Sequence, residues 1–263
     1  MESDVVLHAR ATIADGVPRR LIHGSGSPWL DIRLLCGARM ELLFERLASD
    51  DLAAGTLLDA FAQRRPAWWT SDGRTRQCSM DQPPPAPVQG VARLYKPACR
   101  LVVLGRDPTA MAIASLGAQS GMEVVLIRHL GPEADPMLAG VTYLRGAAPA
   151  ALRSLAPDPW TAVAVANHDW QIDHVALIEA LTCDAFYVGL LGTRRRSPGR
   201  LAADGLGKPA LARLRAPIGI DFGGKAPWEI AVSVVAEVMS VWHHGEGDLA
   251  SRPRAQARSP DAR

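Results

Sequence analysis

The sequence lacks long apolar runs. No stretch of about 18 consecutive apolar residues occurs among its 263 residues, so no membrane-spanning helix is predicted. Charged side chains, from Asp4 to Arg20, are spread through the first part of the chain and interrupt the apolar core that a secretory signal peptide requires. We therefore expect a cytoplasmic protein.

An excess of charge of one sign is also missing. Lys and Arg total 29 and Asp and Glu total 27, and the net charge of +2 excludes a protein built around nucleic-acid binding. Only three of the basic residues are lysines, so arginine supplies most of the positive charge. Four arginines against one aspartate gather in residues 249–263, and we expect residues 246–263 to form a disordered basic tail that is simply solvated.

Cysteine is scarce, with four residues and no C-x-x-C spacing. In a chain of this length the pattern predicts reduced thiols and no structural zinc site. Cys36 precedes Gly37 in an expected loop, where a thiolate could act as a nucleophile or as a soft metal ligand. The alternative for Cys36 is a small, inert apolar side chain.

A proline-rich stretch divides the chain. Residues 76–98 contain five prolines and are predicted to form a semi-rigid linker between a small module, residues 1–75, and a larger one, residues 99–245. In the small module we predict an α+β unit. Its predicted strands are Val5–Ala9, Arg19–His23, Asp31–Leu35 and Met40–Phe44, and its predicted helix is Leu52–Gln63.

Strand-like and helix-like segments alternate in the larger module. The predicted strands are Leu101–Leu104, Val124–Ile127, Val141–Leu144, Ala162–Ala166 and Phe186–Leu190. The predicted helices are Thr109–Ser120, Ala150–Leu155, Val175–Leu181, Arg194–Leu206 and one that begins at Pro227. This alternation predicts an α/β, Rossmann-like fold with a mostly parallel sheet covered on both faces. Ligands bind such sheets beyond the carboxyl ends of the strands.

The first loop at such an end contains Gly105 and Arg106, followed by Asp107 at the start of a helix. Helix N-terminal amides favour anions, but the G-x-G-x-x-G fingerprint of dinucleotide sites is absent. The second strand ends in Arg128, where an NAD site needs an acid for the ribose. A helix capped by Asp107 with no ligand is the alternative.

The second loop carries Asn167, His168 and Asp169. A histidine next to an aspartate can orient a ligand or exchange protons near neutral pH. The alternative is a surface turn whose polar side chains bond only to their own backbone.

The third loop carries Gly189 and Gly192, then Thr193 and three arginines, Arg194, Arg195 and Arg196. A glycine, a hydroxyl and guanidiniums at a helix start suit a phosphate-bearing ligand. Solvated arginines are the alternative, but positive charge at a helix N-terminus opposes the macrodipole and favours an anionic partner.

Four stretches together resemble the xanthine dehydrogenase accessory factor family, XdhC/CoxI. The matching residues are FYVGLLGTRRR at 186–196, residues 211–241 with Pro217 to Asp221 and the helix start at Pro227, the N-H-D triplet at 167–169, and residues 20–45. Departures occur at Asn167, where the family has Thr, and at Ala38, where it has a second glycine. The early Ser-Ser-Pro-Arg segment of the family is missing, so the resemblance implies an abbreviated N-terminal module.

The resemblance implies a noncatalytic chaperone for the molybdenum–pterin cofactor. Such proteins assist sulfuration with a cysteine desulfurase and insert the cofactor into a molybdenum hydroxylase apoenzyme, and they are commonly homodimers. Trp228 and Trp242 are candidate contacts for a dimer interface, and the alternative, which we favour, is a place in the core. Cys36 would lie near the molybdenum. The other expected cofactor-binding residues are Gly105, Arg106, His168, Asp169, Gly189, Gly192, Thr193, Arg194, Arg195, Arg196 and Asp221.

Two other hypotheses stay open for this sequence. The first is a nicotinamide- or nucleotide-dependent oxidoreductase on the same fold, against which the missing fingerprint counts. The second is a docking module that binds the partner enzyme without holding the cofactor.

Overall fold

A computed structural model describes residues 2–24, 39–87, 89–129, 131–192 and 204–244. The chain divides into two compact units, the first ending at Pro97 and the second beginning at Ala98. Cys36, Thr193 and the three arginines at 194–196 lie outside the described residues, as do most of the predicted helix at 194–206 and the tail at 246–263.

Unit 1 contains two small antiparallel sheets. Its elements are α1 (Glu2–Asp15), β1 (Arg19–Gly24), β2 (Arg39–Phe44), α2 (Leu52–Ala62), β3 (Ala67–Ser71), β4 (Arg76–Ser79) and β5 (Val91–Tyr95). β1 and β2 pair as a hairpin with Gly24 opposite Arg39, and β3 lies between β4 and β5 in the second sheet. The Asp51 side chain caps α2 by accepting from the Ala54 amide at 2.9 Å.

The prediction of a strand at Val5–Ala9 is wrong, because these residues lie inside α1. A short run such as Val5, Val6 and Leu7 suits a strand or a helix equally, and its neighbours decide. Here Glu2 and Asp4 place acidic charge in the first helical turn, where it is favourable. The predicted strand at 31–35 lies outside the described residues.

The predicted linker at 76–98 is also wrong in part. Its two ends form β4 and β5, which pair with opposite edges of β3. The prolines from Pro83 to Pro87 therefore lie in a connection within unit 1, and not between the two units. Proline lacks the amide that a sheet ladder needs, which explains why strand structure stops before Pro83 and resumes after Pro87.

Unit 2 is built on one six-stranded sheet. Its elements are β6 (Arg100–Leu104), α3 (Pro108–Gln119), β7 (Glu123–Arg128), β8 (Val141–Arg145), α4 (Ala148–Leu155), β9 (Thr161–Val165), α5 (Trp170–Thr182), β10 (Tyr187–Leu190), α6 (Lys208–Ala212), β11 (Leu214–Arg215) and α7 (Pro227–His244). All pairings are parallel, in the order β11-β10-β9-β6-β7-β8. The predicted Rossmann-like α/β fold is confirmed.

Apolar side chains of the central strands are buried on both faces of this sheet. Leu101 and Val103 of β6 belong to a core cluster with α3 and α7, whereas Val102 and Leu104 belong to a second cluster with α4 and α5. Each fully buried side chain of this size contributes about 1.5 to 3 kcal/mol. Burial on both faces explains why these strands are continuous apolar runs in the sequence.

The described helices are all too short or too polar to cross a bilayer.

Candidate functional site

Strand order reverses between β6 and β9. β6 continues into α3 on one face of the sheet, and its neighbour β9 continues into α5 on the other face. Since the segments that follow β6 and β9 cross to opposite faces of the sheet, a crevice opens beyond the carboxyl ends of these two strands. The loops at 105–107 and 166–169 meet there, and we call this side of the sheet the carboxyl edge.

A carboxylate and an imidazole meet across the crevice. The Oδ2 of Asp107 lies 2.9 Å from the Nε2 of His168, and its Oδ1 accepts from the Ala110 amide at 2.8 Å, which caps α3. Asp107 is therefore both a helix cap and a partner of His168. The expected capping of α3 by Asp107 is confirmed, and the same side chain also joins the first loop to the second.

The backbone of His168 adopts a left-handed conformation, with φ of 60°. A side chain at such a position costs roughly 1 kcal/mol relative to glycine. The turn is held from behind by Asp173, a buried acid on α5 that accepts from the backbone amide of Asn167 at 3.2 Å and from its Nδ2 at 3.0 Å. Burial raises the pKa of Asp173, and the bonds from Asn167 oppose that shift.

Sequence reasoning missed Asp173, although an acid in the first turn of a helix that follows a polar loop is a usable signal. Asp169 caps the same helix, since its Oδ1 accepts from the Gln171 amide at 3.0 Å. Asp169 therefore bonds to the backbone of its own turn, as the surface-turn alternative predicts. His168 instead contacts Asp107 in another loop.

Gly105 allows the loop after β6 to pack closely against Ala110 and the backbone of Ala166. A Cβ at this position would lie 2.5 Å from the Cβ of Ala110 and 2.7 Å from the carbonyl oxygen of Ala166, which excludes any side chain. The next residue, Arg106, has an exposed side chain, and its carbonyl accepts from the Nη2 of Arg128 at 2.9 Å. Arg128 ends β7, so its guanidinium lies against the first loop on this side of the crevice.

The two glycines of the third loop differ in their surroundings. A Cβ on Gly189 would lie 2.4 Å from Cδ1 of Ile218, so a side chain of the protein fills the space in front of this glycine and no ligand can approach there. Gly189 thus permits packing, which corrects the ligand-approach role expected for it. Gly192 is exposed, with φ of 129° and open space around it.

The described residues that flank the arginines at 194–196 in the sequence lie near the carboxyl edge. Before Gly192, the Leu191 amide donates to the carbonyl of Val165 at 2.8 Å, at the end of β9. After residue 203, the carboxylate of Asp204 lies 2.8 Å from the Nε2 of His174 on α5. Leu191 and Asp204 therefore both lie next to strands or helices that border the crevice.

Asp221 lies on a loop that a buried glutamate holds. The Oε2 of Glu237 on α7 accepts from the Tyr187 hydroxyl at 2.5 Å and from the Gly219 amide at 2.7 Å. Burial, and then the nearby carboxylate of Glu237, hold the pKa of Tyr187 well above its ordinary value, so the hydroxyl stays a donor. Asp221 itself is exposed and accepts from the Gly223 amide at 3.2 Å.

Sequence reasoning also missed Glu237, although a single acid within the apolar run of α7 is a recognisable signal of a buried hydrogen bond. Two thiols elsewhere are not activated: burial raises the pKa of Cys78 and of Cys183. Within the described ranges, no group of three or more His, Cys, Asp or Glu side chains is arranged to hold a metal ion.

Two cavities lie away from the crevice. One, of about 470 Å³, is in unit 1 and is lined by α2, β4 and the prolines at 83–85. The other, of about 330 Å³, is at the opposite edge of the parallel sheet, beside the C-terminal ends of α4 and α5. Neither is lined by a described candidate residue, so the candidate site rests on the topology and on the Asp107–His168 contact, and not on cavity size.

Similarity to known proteins agrees with this fold. The chain is 29% identical over 259 residues to the molybdenum cofactor insertion chaperone PaoD of Escherichia coli K12, a match that covers 96% of this chain and 75% of PaoD. It is 30% identical over 152 residues to a protein of Bacillus subtilis 168 described as a probable xanthine dehydrogenase subunit, a match that covers 55% of this chain and 43% of that protein.

A crystal structure described as a xanthine dehydrogenase from Bacillus halodurans has the same fold, with a TM-score of 0.71, 19% identity and coverage of 98% of this chain and 82% of that one. The family model of the XdhC Rossmann domain matches residues 101–238, which are just over half of the chain and span β6 to most of α7. The chain therefore belongs to the XdhC family, the xanthine dehydrogenase accessory factors, and carries its Rossmann domain.

Proposed function

We propose that this protein is a chaperone that binds the molybdenum–pterin cofactor and assists its sulfuration and its insertion into a xanthine-dehydrogenase-like or CO-dehydrogenase-like hydroxylase. The observation that carries the proposal is the similarity to PaoD, because it extends over 96% of the chain and so includes both units. The protein then acts in cofactor maturation as an assembly factor, and not as an enzyme. Its partners are the hydroxylase apoenzyme and a cysteine desulfurase.

The carboxyl edge supports an anionic cargo. The guanidinium of Arg128 lies beside the crevice, and Leu191 and Asp204, the described residues on either side of Arg194 to Arg196 in the sequence, lie at its border. Guanidiniums bind phosphate with two parallel hydrogen bonds, which suits the phosphate of a pterin cofactor. In this proposal Thr193 and the three arginines hold the phosphate, and His168 donates to a neighbouring oxygen.

Cys36 is proposed to lie at the molybdenum end of the cargo, since a thiolate is a soft ligand. We expect protein purified from a host that makes the cofactor to release a fluorescent pterin after oxidation, and Cys36→Ala to retain at least about tenfold less, because a metal–ligand bond is lost. The measurement is pterin fluorescence per mole of protein. Cys78→Ala is the matched control, since burial raises the pKa of that thiol, and it is expected to retain as much as the wild type.

Absence of pterin in the wild type, with cofactor supply in the host confirmed, would refute the chaperone function. Full activation of the partner enzyme by Cys36→Ala would instead favour a docking module that does not need the cofactor.

The strand order supports one alternative, a nicotinamide-dependent oxidoreductase, because the same order is found in dinucleotide-binding folds. Two features oppose it. Asp107 places a carboxylate at the N-terminus of α3, where a pyrophosphate would bind, and Arg128 ends the strand at which NAD proteins carry a ribose-binding acid. We expect no change in NADH or NADPH fluorescence when the protein is added at concentrations up to the millimolar range. Saturable binding in the micromolar range would support the oxidoreductase.

A further inference from the structure

Two neighbouring strands of the parallel sheet end in arginine. Arg128 is the last residue of β7, Arg145 is the last residue of β8, and the two are register partners. Neighbouring strands lie about 4.8 Å apart, and paired residues of parallel strands start on the same face of the sheet. Two positively charged side chains therefore begin side by side at the carboxyl edge, and we call them the β7–β8 arginine pair.

Each guanidinium of the pair donates to a neutral carbonyl group. Nη2 of Arg128 donates to the carbonyl of Arg106 at 2.9 Å, and Nε of Arg145 donates to the carbonyl of Gly131 at 2.7 Å. A carbonyl oxygen accepts a hydrogen bond but carries no full charge to neutralise a guanidinium. These bonds therefore fix where the two side chains lie and leave their positive charge in place.

Acidic side chains compensate the pair only in part. Glu133 lies 3.5 Å from Nη1 of Arg145, but its side chain is 88% exposed, so water screens this contact. Within the described ranges, no carboxylate forms an ion pair with Arg128 or with the exposed side chain of Arg106. Like charges on neighbouring strands repel, which favours an anion between them.

The two acids closest in sequence are engaged elsewhere. Asp107 contacts His168 and the Ala110 amide, as described above, and Asp135 accepts from the Met137 amide at 2.7 Å. Neither is therefore the missing counter-charge of Arg128.

One donor of Arg128 is also left without an acceptor. Its Nε is buried and has no hydrogen-bond partner in the part of the chain that the structure describes. Gly131 packs over this side chain, since a Cβ on the glycine would lie 2.8 Å from the Cβ of Arg128 and 3.4 Å from its Nε. A buried donor without a partner is costly, and in native structures it commonly indicates an ion or a water molecule nearby.

The pair lies apart from the strand that leads to the arginines at 194–196. That strand is β10, and β9 and β6 lie between it and β7. Three inter-strand spacings separate β10 from β7, which corresponds to about 14 Å. A single phosphate group is too small to bridge this distance, so an anion at the pair is expected to differ from the phosphate proposed for Arg194 to Arg196.

We propose that the β7–β8 arginine pair, together with Arg106, is a second anion site at the carboxyl edge, and that it takes a phosphate group. Guanidiniums present planar, forked donors that match two oxygens of one phosphate, and this edge is where parallel sheets bind their ligands. The proposal goes beyond the chaperone function, because the site is separate from the one proposed for the cofactor phosphate. A phosphate of a crevice ligand and free inorganic phosphate share this chemistry, and two arms of the experiment distinguish them.

The first arm is calorimetric titration with inorganic pyrophosphate at about 0.15 M salt, which screens nonspecific attraction. It uses the full chain with Arg194, Arg195 and Arg196 replaced by Gln, so that the site at 194–196 does not contribute. We expect this 194–196 variant to bind one pyrophosphate, and added Arg128→Gln to raise the dissociation constant at least about tenfold, since a charge-assisted hydrogen bond is lost. Arg128→Lys keeps the charge without the forked donors, and its affinity is expected to be intermediate.

Arg153→Gln in the same background is the matched control. It also removes one positive charge, from an exposed arginine of α4 that pairs with Glu179 beside the cavity at the opposite edge of the sheet. We expect it to bind pyrophosphate as the 194–196 variant does. Thermal unfolding shows whether each variant is folded, and Arg145→Gln serves as a second test, with a loss of at least about threefold expected.

Absence of pyrophosphate binding in the 194–196 variant would overturn the proposal. Unchanged affinity in a folded Arg128→Gln, or in a folded Arg145→Gln, would overturn it as well. An equal loss in Arg153→Gln would show that overall charge, and not this site, attracts the anion.

The second arm measures pterin retained by Arg128→Gln in the otherwise unchanged chain. A loss of at least about threefold, alongside the loss of pyrophosphate affinity, assigns the bound phosphate to the crevice ligand. Retention equal to that of the wild type, with pyrophosphate affinity lost, assigns the site to free phosphate. This arm alone rests on the chaperone function: a wild type without pterin would refute that function and leave the pyrophosphate result unaffected.

Discussion

Replacing Arg194, Arg195 and Arg196 together by Gln is expected to lower the cofactor retained by the purified protein at least about tenfold. Each charge-assisted hydrogen bond to a phosphate contributes about 1.5 to 3 kcal/mol, so the loss of two such bonds is enough for this effect. Gln keeps a polar side chain, although a shorter one, and removes the charge and the forked donors of Arg. Pterin fluorescence after oxidation measures the retained cofactor.

The basic tail supplies a control with the same change in net charge. Replacement of Arg252, Arg254 and Arg258 by Gln also removes three positive charges, and we expect retention to stay within a factor of two of the wild type, since exposed charges in water act weakly at a distance. Equal losses in the two triple variants would point to an effect of overall charge. Retention unchanged in the 194–196 variant, with a wild type that does carry pterin, would contradict the phosphate site and leave the chaperone function standing.

Glu237→Ala is expected to destabilise the protein by about 4 kcal/mol. The substitution leaves the Tyr187 hydroxyl and the Gly219 amide without an acceptor in a buried site, at a cost of about 1 to 3 kcal/mol for each donor. It also leaves a cavity in the packing of α7. Urea denaturation, followed by circular dichroism, measures the change in the free energy of unfolding.

Two conservative variants separate the hydrogen bonds from the packing. Glu237→Gln keeps the shape and one acceptor oxygen, so we expect a loss of only about 1 kcal/mol, and Tyr187→Phe removes a single bond to a charged acceptor, at about 2 kcal/mol. If Glu237→Ala and Glu237→Gln were equally unstable, the bonds to Tyr187 and Gly219 would not be the cause.

The fold of unit 2 could be predicted because its signals are local and agree with one another. Buried parallel strands such as Leu101–Leu104 are continuous apolar runs, and α3 carries its own start signal in Asp107 and Pro108. Unit 1 was harder because its strands are short and do not alternate clearly between buried and exposed residues. There the run at 67–71 was missed, although tryptophan and threonine favour strands, and it forms the central strand between β4 and β5.

The candidate site was predictable in its location and less so in its contacts. Loops that follow parallel strands lie at the same edge of the sheet, so the loops at 105–107 and 166–169 were expected to meet. The Asp107–His168 contact confirms this. Asp173 and Glu237 were missed because each acts from inside a helix on a loop distant in sequence, and only the packed structure brings such pairs together. For the same reason, Gly189 was assigned to a ligand when Ile218 occupies its free side.

The left-handed backbone at His168 also bears on how this site is maintained. Glycine would take that conformation freely, so the backbone alone does not account for an imidazole there. The hydrogen-bonded contact between His168 and Asp107 is one interaction that can offset the strain of this turn. Glycine at this position would relieve the strain and lose the contact, so its two effects on stability oppose each other. A His168→Gly variant therefore separates the strain of the turn from the contact that joins the two loops.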